Sequence, residues 1–228
     1  KLSNHDLLKK KNVHLVAPSE WMRKVAEKAF PAKKIHLIPN PVGTLQSIAS
    51  NQSLKIQSIQ GQLAFVTGNL NDPYKRLDKA LRIQRGLHQM GAEQWQLKVV
   101  YTRGNPGEPV PGVDYVRAQN REDVLRILGT SQFNLSTSSA ETFSMTAAEA
   151  AFQGTPTLAI EGTAIDDFSS RGFVRTFEDE AEITAYLGSY EEPKMIEPKE
   201  FDLSGLSYEE VANEYNNLYR EITANSAG

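Results

Sequence analysis

From Leu63 to Leu187 short apolar runs alternate with amphipathic stretches, and no other feature of the sequence constrains the fold as much. Leu63–Thr67, Leu97–Tyr101, Val113–Val116, Phe133–Ser136, Thr157–Ile160 and Phe173–Phe177 read as strands. Between them lie helical stretches. One runs from about Lys75 to Met90 with Leu77, Ala80, Leu81, Leu87 and Met90 as its apolar stripe. Others are Glu122–Leu128, Ser144–Gln153 (ended by Gly154) and Asp179–Leu187. Strands joined through helices lie parallel in one sheet covered on both faces. The sequence therefore predicts an α/β fold, a Rossmann-like doubly wound parallel sheet. Such sheets bind ligands in the crevice outside the carboxyl ends of their strands, which points to the loops at Gly68–Pro73 and Ser136–Thr142.

Upstream, Val13–Ala17 and Ile35–Ile38 read as short strands around a helix from about Glu20 to Lys28, capped by Ser19. Residues 43–60, rich in Ser, Gln and Asn, read as a linker or a short helix. Residues 207–222 form a last helix with Tyr208, Val211, Tyr215, Leu218 and Tyr219 on its apolar side, expected to dock on residues 13–30.

Composition removes several classes of function. The 228 residues contain no cysteine, which excludes disulfide scaffolds, thiol catalysis and Cys-ligated zinc. No apolar run approaches the roughly 18 residues a membrane span needs. The chain opens at Lys1 without a charged-then-apolar leader, so no signal peptide is visible. The missing initiator Met suggests that sequence upstream has been removed. His5, His14, His36 and His88 are isolated in sequence and read as surface or satisfied core residues rather than metal ligands. The net charge of −3 hides an asymmetry: residues 1–40 hold nine basic and three acidic residues, and residues 161–228 hold five basic and sixteen acidic ones. The basic head reads either as a solvated face or as a surface for an anionic membrane or substrate. No basic stripe with interleaved aromatics is present, so nucleic acid is not an expected partner.

The chemistry concentrates in residues 138–156. Here a strand end passes through a polar turn containing Glu141, Thr142 and Phe143 into a helix that carries Glu149. The backbone N–H groups of Phe143, Ser144, Met145 and Thr146 fall in the first helical turn, which lacks intrahelical partners and favours anions, phosphates especially. Eight residues of helix would separate Glu141 from Glu149 by about 12 Å along the axis. Carboxyl pairs that act together on a glycosidic bond lie about 5–9.5 Å apart, so the spacing argues against a hydrolase dyad. It fits two carboxylates gripping a phosphate ligand's sugars from either side, or a capped helix with one surface Glu.

Glu141 and Glu149, followed by Ala150 and Gly154-Thr155-Pro156, resemble the E-x7-E signature of retaining glycosyltransferases that use nucleotide sugars and have the two-domain GT-B fold. This is the large group 1, family 4-like family that includes phosphatidylinositol mannosyltransferases and sucrose synthases. Other landmarks follow in the family's order. Ser19-Glu20-Trp21 and Ile38-Pro39-Asn40-Pro41-Val42 resemble its crossing from acceptor to donor domain. Gly68 to Lys75 resembles its phosphate loop, and Glu122 to Phe133 the helix and strand before the motif.

The resemblance implies that the chain is the C-terminal, donor-binding half of a GT-B fold. Residues 1–42 would be a remnant of the acceptor domain and the crossing, 43–60 a linker, 61–205 the donor domain, and 206–228 a helix packing back. It implies a nucleotide sugar as partner, with Glu149 on the ribose hydroxyls and Glu141 near the anomeric centre of the transferred sugar. The backbone from Phe143 to Thr146 would cradle diphosphate and sugar, Lys75 would neutralise the departing phosphate, and Val116 would contact the base through its backbone. Gly68, Asn69 and Thr142 would complete the pocket. No cofactor and no obligatory metal are implied, and no Asp-x-Asp motif is present.

The implied setting is cytoplasmic synthesis of cell-surface polysaccharide or glycoconjugate, with peripheral membrane contact by the basic edge. The histidine that relatives use near the sugar belongs to the acceptor domain preceding this segment, so the chain alone is expected to bind donor and to transfer little. The sequence departs from the family at Asn69, where relatives carry an Arg that Arg76 or Arg103 would have to replace. It departs again at Thr142 and Ser144, where relatives carry Gly. A non-catalytic nucleotide-sugar-binding module and a nucleotide-sugar epimerase are the alternatives.

Overall fold

The computed structural model describes residues 13–31, 33–43, 58–189 and 201–226. His5, four of the basic head's eight lysines and residues 44–57 of the linker lie outside them. In the first segments, β1 (Leu15–Ala17) and β2 (Ile35–Leu37) pair in parallel around α1 (Glu20–Ala29). Ser19 caps α1 by accepting from the Met22 N–H at 3.0 Å.

The main sheet contains β3 (Ile59–Asn69), β4 (Gln96–Arg103), β5 (Val113–Arg117), β6 (Ser131–Ser136), β7 (Thr157–Ile160) and β8 (Val174–Phe177). All its pairings are parallel, and the order is β5-β4-β3-β6-β7-β8. This is the doubly wound arrangement expected. The chain starts in the middle at β3, winds outward through β4 and β5, then returns to β6 on the other side of β3. Burial follows position: β6 and β7 are buried nearly throughout, while the edge strand β5 alternates between half-buried and exposed.

The helices are α2 (Leu77–Gln89), α3 (Arg121–Thr130), α4 (Met145–Phe152), α5 (Glu180–Gly188) and α6 (Tyr208–Ser226). Alternate residues of β3 feed opposite cores. Leu63 and Phe65 pack with Ile83 and Leu87 of α2 and Ile183 and Leu187 of α5. Ala64 packs with Ile127 and Leu128 of α3 and Ala150 of α4. A third cluster joins Phe143, Ala147 and Ala148 to Phe168 and Phe173, and draws in Val42 and Leu206 from the two crossing segments.

The structure corrects several expectations. A 3-10 helix, Ala164–Arg171, follows β7 in a stretch the sequence left unassigned; it is capped by Thr163 and stopped by Gly172 at φ 79°. Gly68 lies within β3 rather than in the loop after it. Helix α2 begins at Leu77, not Lys75, because Arg76 adopts a left-handed conformation that helical backbone does not allow. Helix α6 starts in a Ser207/Glu210 capping box. It packs at the exit of β2, where Ile38 meets Val211 and Leu218, with Lys34 ion-paired to Glu221. Tyr208 and Tyr219 of that helix are exposed rather than packed.

The histidines are not all isolated. His14, just before β1, and His36 of β2 stack with ring centroids 5.2 Å apart and share a 2.9 Å hydrogen bond. Burial, with help from Lys34 and His14, holds His36 below the usual imidazole range.

Candidate functional site

The loops after β3 and β6 leave adjacent strands at the point where the strand order reverses. Short side-chain bonds shape the first loop: Asn69 accepts from the Asn71 N–H at 3.0 Å and Asp72 from the Tyr74 N–H at 2.9 Å. The second loop is stitched to it. The Thr137 hydroxyl donates to the carbonyls of Lys75 (3.1 Å) and Arg76 (2.9 Å), and the Ser139 N–H donates to the Tyr74 carbonyl at 2.8 Å. This brings together two residues far apart in sequence: Lys75 Nζ lies 2.5 Å from Glu141 Oε1.

Both helices that start here begin under strain. Arg76 (φ 52°) and Ser144 (φ 65°), the N-caps of α2 and α4, are the two non-glycine residues with positive φ among the described residues. For an L-residue that conformation costs roughly 1–2 kcal/mol. Packing holds Ser144 there. The preceding Phe143 ring is buried, stands edge-on to Phe168 at 5.1 Å, and through Phe168 reaches Phe173 at 5.0 Å. The Phe143 side chain is thus an anchor, and what it can offer a ligand is its backbone. Thr142 is exposed, and its carbonyl accepts from the Ser19 hydroxyl at 2.7 Å, which ties α1 to the site loop. Met145 is exposed and Thr146 half-buried in the first turn of α4.

Glu149 sits one turn further along α4, 14% exposed, with Oε1 2.9 Å from Arg121 Nη2. Burial pushes its carboxyl above the ordinary range, and the Arg121 charge opposes the shift. Arg121 also donates to the Val42 carbonyl at 3.0 Å and to the Tyr208 hydroxyl at 3.3 Å, so it joins the crossing segment, α4 and α6. The sequence reading missed Arg121. A signal was there: a cation at the first position of a helix opposes the helix dipole, so it needs a carboxylate from elsewhere.

The remaining expected residues lie nearby. A Cβ on Gly68 would meet nothing within 4 Å, so the space beside it is open and packing does not require a glycine. Asn69 ends β3 in register with Arg103 of β4. Of the two possible replacements for the family's Arg, Arg76 is held by both carboxylate oxygens of Asp78 at 2.9 and 3.0 Å, which pulls Asp78 down to about 2. Arg103 stands at the strand end beside Asn69. Val116 lies on edge strand β5, two strand spacings or about 10 Å from β3. It packs on the Val100 and Ile127 cluster, and β5 has a sheet partner on one side only. Among the described residues, no three His, Asp or Glu side chains are grouped to hold a metal ion, and no helix is long and apolar enough to cross a membrane.

The comparison with solved structures agrees with this architecture. A pneumococcal O-GlcNAc transferase, GtfA, in complex with UDP and GlcNAc superposes with a TM-score of 0.66 at 13% identity, over 91% of this chain and 45% of that one. The α,α-trehalose-phosphate synthase (UDP-forming) of Burkholderia vietnamiensis gives 0.69 at 9% identity, over 93% and 60%. AviGT4, a glycosyltransferase of avilamycin A biosynthesis, gives 0.66 at 17% identity, over 92% and 64%. The chain has the fold of a GT-B glycosyltransferase domain. It spans less than two thirds of each of these enzymes. No protein-family model matches the chain, and no curated protein matches it in sequence.

Proposed function

We propose that this domain binds the donor of a retaining glycosyltransferase, a nucleotide diphosphate sugar whose sugar the complete enzyme passes to an acceptor. The observation that carries the reading is a convergence at the sheet's switch point: Lys75, Glu141 and the first turn of α4 meet there, with Glu149 one turn beyond. Helix start and Lys75 together offer a site for a diphosphate. Glu149 accepts from the ribose hydroxyls, and Val116 meets the base at a distance a nucleotide can span. In the complete enzyme the bond from the anomeric carbon to the phosphate oxygen breaks and its electron pair leaves with the nucleoside diphosphate, while an acceptor hydroxyl oxygen bonds to that carbon from the same face and its proton passes to the departing phosphate oxygen. Lys75 balances the charge that departs, and Glu141 faces the positive charge developing on the sugar.

Residues 61–205 form the donor domain in this reading, and the acceptor domain lies in sequence preceding this chain. Similarity to enzymes solved with UDP makes UDP the first nucleotide to test. We place the enzyme in cytoplasmic synthesis of cell-surface polysaccharide or glycoconjugate, with the basic head toward an anionic membrane.

Calorimetric titration with UDP, GDP, ADP and their sugar conjugates, beside Glu149→Ala, tests the donor site. One diphosphate should bind, and the substitution should weaken it by about 1–3 kcal/mol, the scale of a lost charged hydrogen bond. Absence of binding by all three, or binding indifferent to Glu149→Ala, overturns the reading. A second reading, a non-catalytic nucleotide-sugar-binding module, is favoured by Asn69, which puts a neutral amide where the family has a phosphate-binding Arg. In that case Glu141→Gln in the complete protein would leave its function unchanged.

A further inference from the structure

We infer that Arg121 is the positioning residue of the donor site: its guanidinium keeps Glu149 ionised and oriented to receive a ribose diol. The inference rests on the donor-site reading above. Glu149 is half-buried, 14% exposed, on a helix, MTAAEAAF, that carries no other charge. A carboxylate so placed takes up a proton unless a cation stands beside it. Only as an anion does it offer acceptors alone, each oxygen having two lone pairs, so that Oε1 can hold Arg121 and still accept from a hydroxyl. A protonated carboxyl would spend one oxygen as a donor and fit a diol poorly.

Among the described residues, α3, α6 and the crossing segment bring polar groups to this pair. From α3 comes Arg121 itself; Asp123 is turned to the Gln119 N–H and Arg126, and Glu122 is exposed. From α6 comes the Tyr208 hydroxyl, and from the crossing segment the Val42 carbonyl, both bonded to Arg121 rather than to Glu149. These two bonds, with the ion pair, give the guanidinium three partners, one on Nη1 and two on Nη2. That fixed fork can aim a carboxylate, whereas a freely rotating surface cation cannot.

The test follows the Glu149 carboxyl by carbon NMR across pH in the wild-type chain, Arg121→Gln and Arg121→Lys. It also measures binding of whichever of UDP, GDP or ADP the wild type takes, together with the 2′,3′-dideoxy form of that nucleotide. Arg121→Gln should titrate Glu149 about 1–3 pH units higher, the usual effect of losing an adjacent opposite charge. Its affinity for the ribonucleotide should fall roughly tenfold or more at pH 6 and under about threefold at pH 8.5, where the carboxyl is ionised again. Arg121→Lys keeps the charge but loses the fork, so its Glu149 titration should stay near the wild-type profile while its ribonucleotide affinity falls at both pH values. The dideoxy nucleotide should bind all three chains alike.

Coincident profiles for wild type and Arg121→Gln overturn the inference while leaving the donor site standing. A lowered melting temperature with no change in either profile does the same, because it marks a tie that serves only the fold. A wild type that binds no nucleotide at any pH overturns the donor-site reading, and this inference with it.

Discussion

Glu141 and Glu149 leave the same short stretch of chain and end in unlike surroundings. Glu141 precedes α4, in a loop that reaches its partner Lys75 only because Thr137 and Ser139 bond to the loop after β3. Glu149 is carried by the helix itself, half-buried beside α3, and its partner Arg121 is bonded to two further segments. One carboxylate is placed by loop hydrogen bonds and a strained Ser144, the other by helix packing. A group set in a loop can follow a substrate as it reacts, and a group set in a packed helix can hold a fixed point. Under the proposed function, that difference corresponds to a division of work, with turnover on the Glu141 side and anchoring on the Glu149 side.

The sharpest way to break that comparison is Glu141→Gln in the complete enzyme. Loss of a charge-stabilising group should slow transfer about 10²–10³-fold and change diphosphate affinity by less than about threefold, read by steady-state kinetics beside calorimetry. Equal losses in rate and affinity would show that the two sides are not divided. Glu149→Ala is the mirror experiment, with its loss of about 1–3 kcal/mol appearing in binding.

Strain offers a smaller test. Ser144→Gly relieves a left-handed conformation and should raise stability by about 1 kcal/mol, a melting-temperature gain of roughly 2–4 °C for a chain of this size. A fall in melting temperature would mean that the buried Ser144 side chain contributes more than the strain costs.

The smallest effect lies away from the site, at His36. Its folded-state affinity for protons is below that of a free imidazole, so the neutral form favours folding. The stability this contributes is present above the unfolded value near 6.5 and is lost as pH falls below it. Thermal melts between pH 8 and pH 5 should show a decline that His36→Asn flattens. An unaltered slope in that variant would exclude the His14–His36 pair as its source.

Much of the fold was legible because its signals are local. The runs Leu63–Thr67 and Thr157–Ile160 are apolar on both faces, and only a covered central strand needs that. The 3-10 helix at Ala164–Arg171 was not legible, since Ile165 and Phe168 are its only large apolar residues and its start depends on the Thr163 cap. The start of α2 was misplaced for a similar reason: Lys75 and Arg76 are good helix formers, but in the fold their carbonyls accept from the Thr137 hydroxyl across the site and Arg76 turns left-handed. Within the site, residues 138–156 and Lys75 stood out by type and order. Arg121 did not, because its carboxylate partner comes from another helix.

The sequence by itself determined the alternation of strands and helices, hence the parallel sheet and the end of it where ligands bind, because hydrophobic period and capping act over a few residues. Tertiary structure alone decided the partners. Lys75 meets Glu141 across 66 residues, His14 meets His36 across 22, and Arg121 meets Glu149 between helices. Such meetings follow from strand register and helix packing, which no local stretch of chain contains.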